Sequence, residues 1–139
     1  MPVERFLDTN VLLYGYDLDA AAKREVALGI LEAALESASQ TAVSVQVLLE
    51  FHVNFTRQNH SDEEAEEIIG DFGTFRLIEN TKSLFLAGLA AKRRWKLSLW
   101  DAMIVAAAQA SGAAELYTED LNHGQDYGGV RVVNPFLNI

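Results

Sequence analysis

The chain has 139 residues, half of them hydrophobic, with 11 basic and 20 acidic side chains and a formal net charge of −9. This size and composition predict one domain, residues 1–139, that buries its own core, rather than a disordered chain. The absence of cysteine excludes disulfides, thiolate metal sites and a cysteine nucleophile, and the negative charge disfavours a protein that holds nucleic acid through its overall field.

The sequence carries no sign of export or of membrane insertion. It contains no run of about 18 apolar residues. Its first residues, Met1-Pro2-Val3-Glu4-Arg5, lack the basic segment and apolar stretch of a secretion signal. We therefore expect a cytoplasmic protein.

Short predicted strands alternate with predicted helices along the chain. The strands are predicted at 3–7, 42–45, 75–78, 115–118 and 130–133. The helices are predicted at 11–16, 20–38, 45–56, 62–70, 81–95 and 98–110. Ser61, which precedes three acidic residues, and Gly112 are typical of a helix start and a helix end. This alternation predicts an α/β fold, a central and mostly parallel sheet with helices on both faces.

Four acidic residues fall where ligands bind in such sheets, near the carboxyl ends of the strands. Asp8 follows the first strand and Asp120 follows the strand at 115–118, whereas Glu50 and Asp101 lie early in the helices at 45–56 and 98–110. Carboxylates gathered without bases repel one another, and a hard divalent cation relieves this repulsion. The pattern therefore predicts a Mg²⁺ or Mn²⁺ site that activates water for attack on a phosphodiester.

Each acid also has a purely structural interpretation. Asp8 could cap the following helix, and Asp101 could complete a capping box with Ser98. Glu50 could be a solvated helix acid, although its helical phase places it at the edge of the apolar stripe. Asp120 could be an ordinary turn residue. The joint placement of all four acids favours a common site.

The sequence resembles the PIN-domain family, and most closely its VapC-like toxins. The resemblance spans the chain and rests on five segments in the family's order and spacing. These segments are Phe6-Leu7-Asp8-Thr9-Asn10-Val11-Leu12, Val47-Leu48-Leu49-Glu50-Phe51, Leu99-Trp100-Asp101-Ala102-Met103-Ile104, Tyr117-Thr118-Glu119-Asp120-Leu121 and Val130-Arg131-Val132-Val133-Asn134-Pro135-Phe136.

The resemblance implies a single PIN domain and a metal-dependent endoribonuclease with Mg²⁺ or Mn²⁺ as its cofactor. The implied catalytic residues and metal ligands are Asp8, Glu50, Asp101 and Asp120. The implied supporting residues are Thr9, Asn10, Thr118 and Glu119. The fourth acid is the most variable in the family, and Glu119 or Asp126 could take the place of Asp120.

The resemblance also implies partners: an RNA substrate, a cognate antitoxin that covers the groove, and a homodimer or larger complex with the antitoxin. Apolar residues of the first helix could form part of such a surface or could simply be core; they are Leu12, Leu13, Tyr14 and Tyr16. Two other functions stay open, a structure-specific DNA nuclease of the same fold and a non-catalytic module that binds a basic partner.

One basic segment allows two interpretations. Lys92-Arg93-Arg94-Trp95-Lys96 holds four of the eleven basic residues and could contact an RNA backbone, with Trp95 stacked on a base. The alternative, which we favour, is a helix end where basic residues interact well with the helix dipole.

Overall fold

The computed structural model describes residues 2–139, and Met1, the first residue of the predicted domain, lies outside the described residues. The strands are β1 (Arg5–Leu7), β2 (Thr41–Ser44), β3 (Arg76–Ile78), β4 (Glu115–Tyr117), β5 (Asp126–Tyr127) and β6 (Val130–Val133). The helices are α1 (Thr9–Tyr14), α2 (Ala21–Glu36), α3 (Val45–Arg57), α4 (Asp62–Phe72), α5 (Lys82–Trp95) and α6 (Leu99–Ser111). None of the helices in residues 2–139 has the length and apolar character needed to cross a membrane.

The strands form a single sheet in the order β3-β2-β1-β4-β6-β5. All neighbouring pairs are parallel except β5, which runs antiparallel to β6. The predicted α/β class with a mostly parallel sheet is confirmed, whereas β5 was not predicted. Strands β1 and β4 are neighbours, with Leu7 opposite Tyr117. The residues that follow these two strands therefore emerge side by side.

The core lies between the sheet and the helices, and aromatic side chains fill one part of it. Tyr16 contacts the rings of Phe51, Phe55 and Phe72 edge-on, at centroid distances of 6.0 to 6.5 Å. Leu12 is fully buried, so it is core and not part of an exposed groove. Leu13, Tyr14 and Tyr16 are partly buried against the same core.

Local signals in the sequence fix several helix ends. Ser61 caps the start of α4, as predicted, and the structure adds a reciprocal capping box between Ser61 and Glu64. Gly112 ends α6 in the left-handed conformation at φ 77°, which favours glycine. The first helix begins two residues earlier than predicted, at Thr9, because Asp8 is its N-cap.

Candidate active site

Asp8 lies at the end of β1 and is almost completely buried, with 5% of its surface exposed. Its Oδ1 accepts a hydrogen bond from the Thr9 backbone N–H at 2.7 Å. Its Oδ2 accepts one from the Thr118 hydroxyl at 2.8 Å and a longer one from the Asn10 amide at 3.4 Å. Burial raises the pKa of Asp8 to about 7, and the charges of Asp120 and Glu50 add to this rise, although the hydrogen bonds oppose it.

Asp120 is held beside Asp8 by two shared partners. The Asn10 amide donates to Asp120 Oδ2 at 3.1 Å, and the Asp120 backbone N–H donates to the Thr118 hydroxyl oxygen at 3.1 Å. Partial burial raises the pKa of Asp120, and the charges of Asp101, Glu119 and Glu50 raise it further. The predicted supporting residues Asn10 and Thr118 therefore bridge the acids that follow β1 and β4.

Glu50 reaches the site from α3. The hydroxyl of Thr9 donates to Glu50 Oε2 at 2.9 Å, which ties α1 to α3. The amide of Gln46 donates to Glu50 Oε1 at 3.0 Å and to the backbone oxygen of Trp100 at 3.2 Å. Sequence reasoning missed Gln46, although its position one helical turn before Glu50 was a usable signal.

Asp101 lies in the first turn of α6. The Ser98 side chain caps this helix by accepting from the Asp101 backbone N–H at 3.1 Å. The Asp101 carboxylate returns no bond to Ser98 and forms no hydrogen bond within residues 2–139, in contrast to the complete capping box of α4. Its charge raises the pKa of Asp120, so the two carboxylates lie close enough to interact.

The two alternative fourth acids are engaged elsewhere. Glu119 forms an ion pair with Lys23 at 3.0 Å and accepts a hydrogen bond from the Tyr14 hydroxyl. Asp126 Oδ1 accepts from the Gly129 backbone N–H at 2.6 Å in the turn between β5 and β6. Of the three, Asp120 is the one that shares the partners Asn10 and Thr118 with Asp8, so we keep it as the predicted fourth acid.

The four carboxylates lack a basic counter-charge. No Lys, Arg or His of residues 2–139 forms an ion pair with any of them. Within the same residues, no three or more Asp, Glu, His or Cys side chains are placed so that together they could hold a metal ion. Mg²⁺ bound by one or two carboxylates keeps several of its waters, so the oxygen donors of these acids suit Mg²⁺ or Mn²⁺ in their chemistry.

The basic segment at the end of α5 behaves as a helix end. Trp95 packs edge-on against Tyr127 at 5.3 Å, and the Arg94 guanidinium lies 4.5 Å from the Trp95 ring centroid. The indole is therefore engaged within the fold and is poorly placed to stack on an RNA base.

Comparison with protein-family models matches residues 5–125 to the PIN domain. The chain belongs to the PIN-domain family. The resemblance read from the sequence segments is thus confirmed, and so is the fold class. A comparison with curated protein sequences yielded no match.

Solved structures with this PIN fold include several toxin–antitoxin complexes. A chain of a toxin–antitoxin complex from Klebsiella pneumoniae is 26% identical with a TM-score of 0.70, over 96% of this chain and 98% of that one. VapBC2 from Rickettsia felis, bound to a DNA fragment from its promoter, is 15% identical with a TM-score of 0.66, over 94% and 97% of the two chains. The Sarcin-Ricin loop cleaving toxin VapC20 from Mycobacterium tuberculosis is 18% identical with a TM-score of 0.61, over 84% and 92%. The last two likenesses concern the fold alone.

Proposed function

We propose that this PIN domain is the toxin of a toxin–antitoxin pair and a Mg²⁺- or Mn²⁺-dependent endoribonuclease. The observation that carries the proposal is a buried carboxyl group, that of Asp8, beside other carboxylates and without a basic side chain to compensate its ionisation. Asp8 has its pKa raised to about 7 by burial and by neighbouring carboxylates, and it has no basic partner in residues 2–139. A divalent cation would compensate the charge of the ionised carboxylates. Membership of the PIN-domain family supports nuclease chemistry at this site.

The four acids are the proposed metal ligands: Asp8, Glu50, Asp101 and Asp120. A bound Mg²⁺ or Mn²⁺ ion would activate a water molecule and neutralise charge at the scissile phosphate. Asn10 and Thr118 hold Asp8 and Asp120 together through the bonds that they share. Water adds across the bond between phosphorus and the 3′ oxygen, which leaves a 5′-phosphate and a 3′-hydroxyl.

Thr9 and Gln46 orient the Glu50 carboxylate, with one donor on each of its oxygens. Such donors fix a ligand before the ion arrives, which lowers the cost of assembling the site. We therefore assign Thr9 and Gln46 as positioning residues.

The toxin role is supported by the 26% identity to a chain of the Klebsiella pneumoniae toxin–antitoxin complex over nearly the whole of both chains. We propose a cognate antitoxin as partner, in a homodimer or larger complex. A net charge of −9 and an acidic pocket suit a basic inhibitory segment, because an arginine among carboxylates pairs with two oxygens and competes with the metal.

Asp101→Asn tests the proposal, because the Asp101 carboxylate forms no hydrogen bond within residues 2–139 and the variant should fold normally. We expect cleavage of an RNA oligonucleotide in Mg²⁺ to fall by about 100-fold or more. Expression of the variant should no longer arrest growth, while binding to the cognate antitoxin is retained.

Glu63→Gln is the matched control, since it removes an exposed carboxylate from the first turn of another helix, α4. It should leave cleavage unchanged. Undiminished cleavage by Asp101→Asn would remove that residue from the site. A DNA version of the oligonucleotide serves as the second substrate. If the wild-type protein cleaves DNA faster than RNA, the protein is a DNA nuclease and not a ribonuclease. If it cleaves neither, the remaining interpretation is a non-catalytic binding module.

A further inference from the structure

An open cleft of about 300 Å³ lies next to the candidate metal site, between α3 and the start of α6. Its lining includes Leu49, Glu50, Val53, Arg57 and Trp100. The α3 residues recur at intervals of three or four, so they form one outward face of the helix, opposite the buried Val47 and Phe51 side of α3. Of the four carboxylates, Glu50 belongs to this lining, so the cleft borders the candidate site at Glu50.

Trp100 is the aromatic residue of this lining, and 69% of its surface is accessible. It directly precedes Asp101, and its backbone oxygen is fixed by the hydrogen bond from Gln46. The main chain therefore holds the indole at the edge of the site. Leu49 and Val53, both about half exposed, extend this apolar surface along α3. Together these three side chains form one exposed apolar surface, and such surfaces mark ligand grooves or interaction sites.

Arg57 places a positive charge at the far end of the same face. It is the last residue of α3 and forms no ion pair within residues 2–139, although acidic residues outnumber basic ones in the chain. It lies seven positions after Glu50, which is about 10 Å along the helix axis. A phosphate bound at Arg57 is therefore a different group from the scissile phosphate at the carboxylates, and it belongs to a neighbouring nucleotide.

We propose that this cleft binds one nucleotide of single-stranded RNA adjacent to the scissile phosphate, with its base stacked on Trp100 and a neighbouring phosphate paired with Arg57. This subsite rests on the proposed ribonuclease function. Bases of any sequence stack on an indole, and unpaired RNA is the form whose bases are free to do so. An apolar peptide could cover Leu49 and Val53 but would leave the guanidinium without an anion, so the charge favours a nucleotide.

The chain has two tryptophans, which makes the test specific. Trp95→Phe leaves Trp100 as the only indole, and Trp100→Phe leaves the packed Trp95. We expect oligouridylate and oligoadenylate, added in EDTA to prevent cleavage, to quench the fluorescence of the Trp95→Phe protein and not that of the Trp100→Phe protein. Trp100→Ala should raise KM for RNA cleavage about tenfold and change kcat little, as expected for the loss of one stacked base.

Arg57→Ala should weaken oligouridylate binding and lower the slope of log affinity against log salt by about one, the contribution of one phosphate contact. Arg131→Ala is the charge-matched control. Arg131 lies on β6 opposite Glu115, at the amino-terminal end of the strands and away from the carboxylates. It should leave both the affinity and the slope unchanged.

Equal quenching of both single-tryptophan proteins, quenching of neither, or an unchanged KM in Trp100→Ala would overturn the subsite. So would a Trp100→Ala protein that loses self-association or antitoxin binding but keeps RNA affinity, since the cleft would then be a protein interface. The two proposals fail separately. If the wild-type protein cleaves RNA and the Trp100 variants behave like it, only the subsite is contradicted. If RNA binding depends on Trp100 but the protein does not cleave RNA in Mg²⁺, only the nuclease proposal is contradicted.

Discussion

Asp8 is the residue at which folding and the proposed chemistry oppose each other most directly. Its carboxylate is buried, so in the metal-free protein the folded chain keeps its proton up to about pH 7, whereas an unfolded chain releases it near pH 3.8. Between these pH values the folded state binds one more proton than the unfolded state. The stability that protonated Asp8 contributes is therefore complete below about pH 4 and is lost as the pH rises to 7.

Asp8→Asn removes this titration and should stabilise the metal-free protein at neutral pH. In EDTA, we expect the free energy of unfolding of the variant to exceed that of the wild type by an amount that grows between pH 4.5 and 7. The growth is at most about 1.4 kcal/mol per pH unit. Urea unfolding at several pH values in that range measures it.

Mg²⁺ at pH 8 gives the complementary result. It should stabilise the wild-type protein, by about 2.7 kcal/mol at a concentration 100 times the Kd, and should leave Asp8→Asn unchanged. Equal stabilisation of both proteins by Mg²⁺ would mean that the ion binds elsewhere.

Gln46 offers a second prediction at this scale, because one amide joins the Glu50 carboxylate to the backbone of α6. Gln46→Ala should weaken Mg²⁺ binding about tenfold, as loss of a group that orients a metal ligand does. It should cost about 1 kcal/mol in stability, the usual value of a hydrogen bond. Calorimetric titration with Mg²⁺ and urea unfolding measure the two effects. Gln58→Ala, at an exposed amide just beyond the same helix, should change neither, and a similar loss in both variants would exclude a specific role for Gln46.

At the scale of the elements, two glycines in different helical settings should respond to alanine with opposite signs. Gly29 lies inside α2 with open space where a Cβ would be, so Gly29→Ala should stabilise the protein by about 0.5 to 1 kcal/mol. Gly112 ends α6 at φ 77°, so Gly112→Ala should destabilise it by about 1 kcal/mol or more, although its Cβ meets no atom. Urea unfolding measures both, and a shared sign would contradict this account of the two helices.

The elements that the sequence predicted well are those with local signals. Helical periodicity located the long helices, and caps such as Ser61 and Gly112 located their ends. Strand β5 was not predicted because it has only two residues and depends on pairing with β6. The short α1 was placed late because Asp8 serves as its cap as well as a candidate ligand, and sequence patterns do not separate those two roles.

At the scale of the whole molecule, the grouping of the four acids follows partly from topology and partly from packing. Neighbouring parallel strands bring Asp8 and Asp120 to the same edge, which the chain order alone suggested. Glu50 and Asp101 reach that edge from α3 and α6, and the bond from Gln46 to Trp100 that joins these helices depends on packing between distant segments. Periodicity in one sequence does not contain that contact between α3 and α6, which is why the Trp100 cleft emerged only from the structure.

The most direct test of the metal site is a crystal of the wild-type protein grown with Mn²⁺ and measured for anomalous scattering. We predict a peak in the pocket of the four acids, with carboxylate oxygens of Asp8 and at least one of the other three about 2.0 to 2.3 Å from the ion. Absence of a peak there at saturating Mn²⁺, or a peak only at another acidic surface such as the start of α4, would contradict the account.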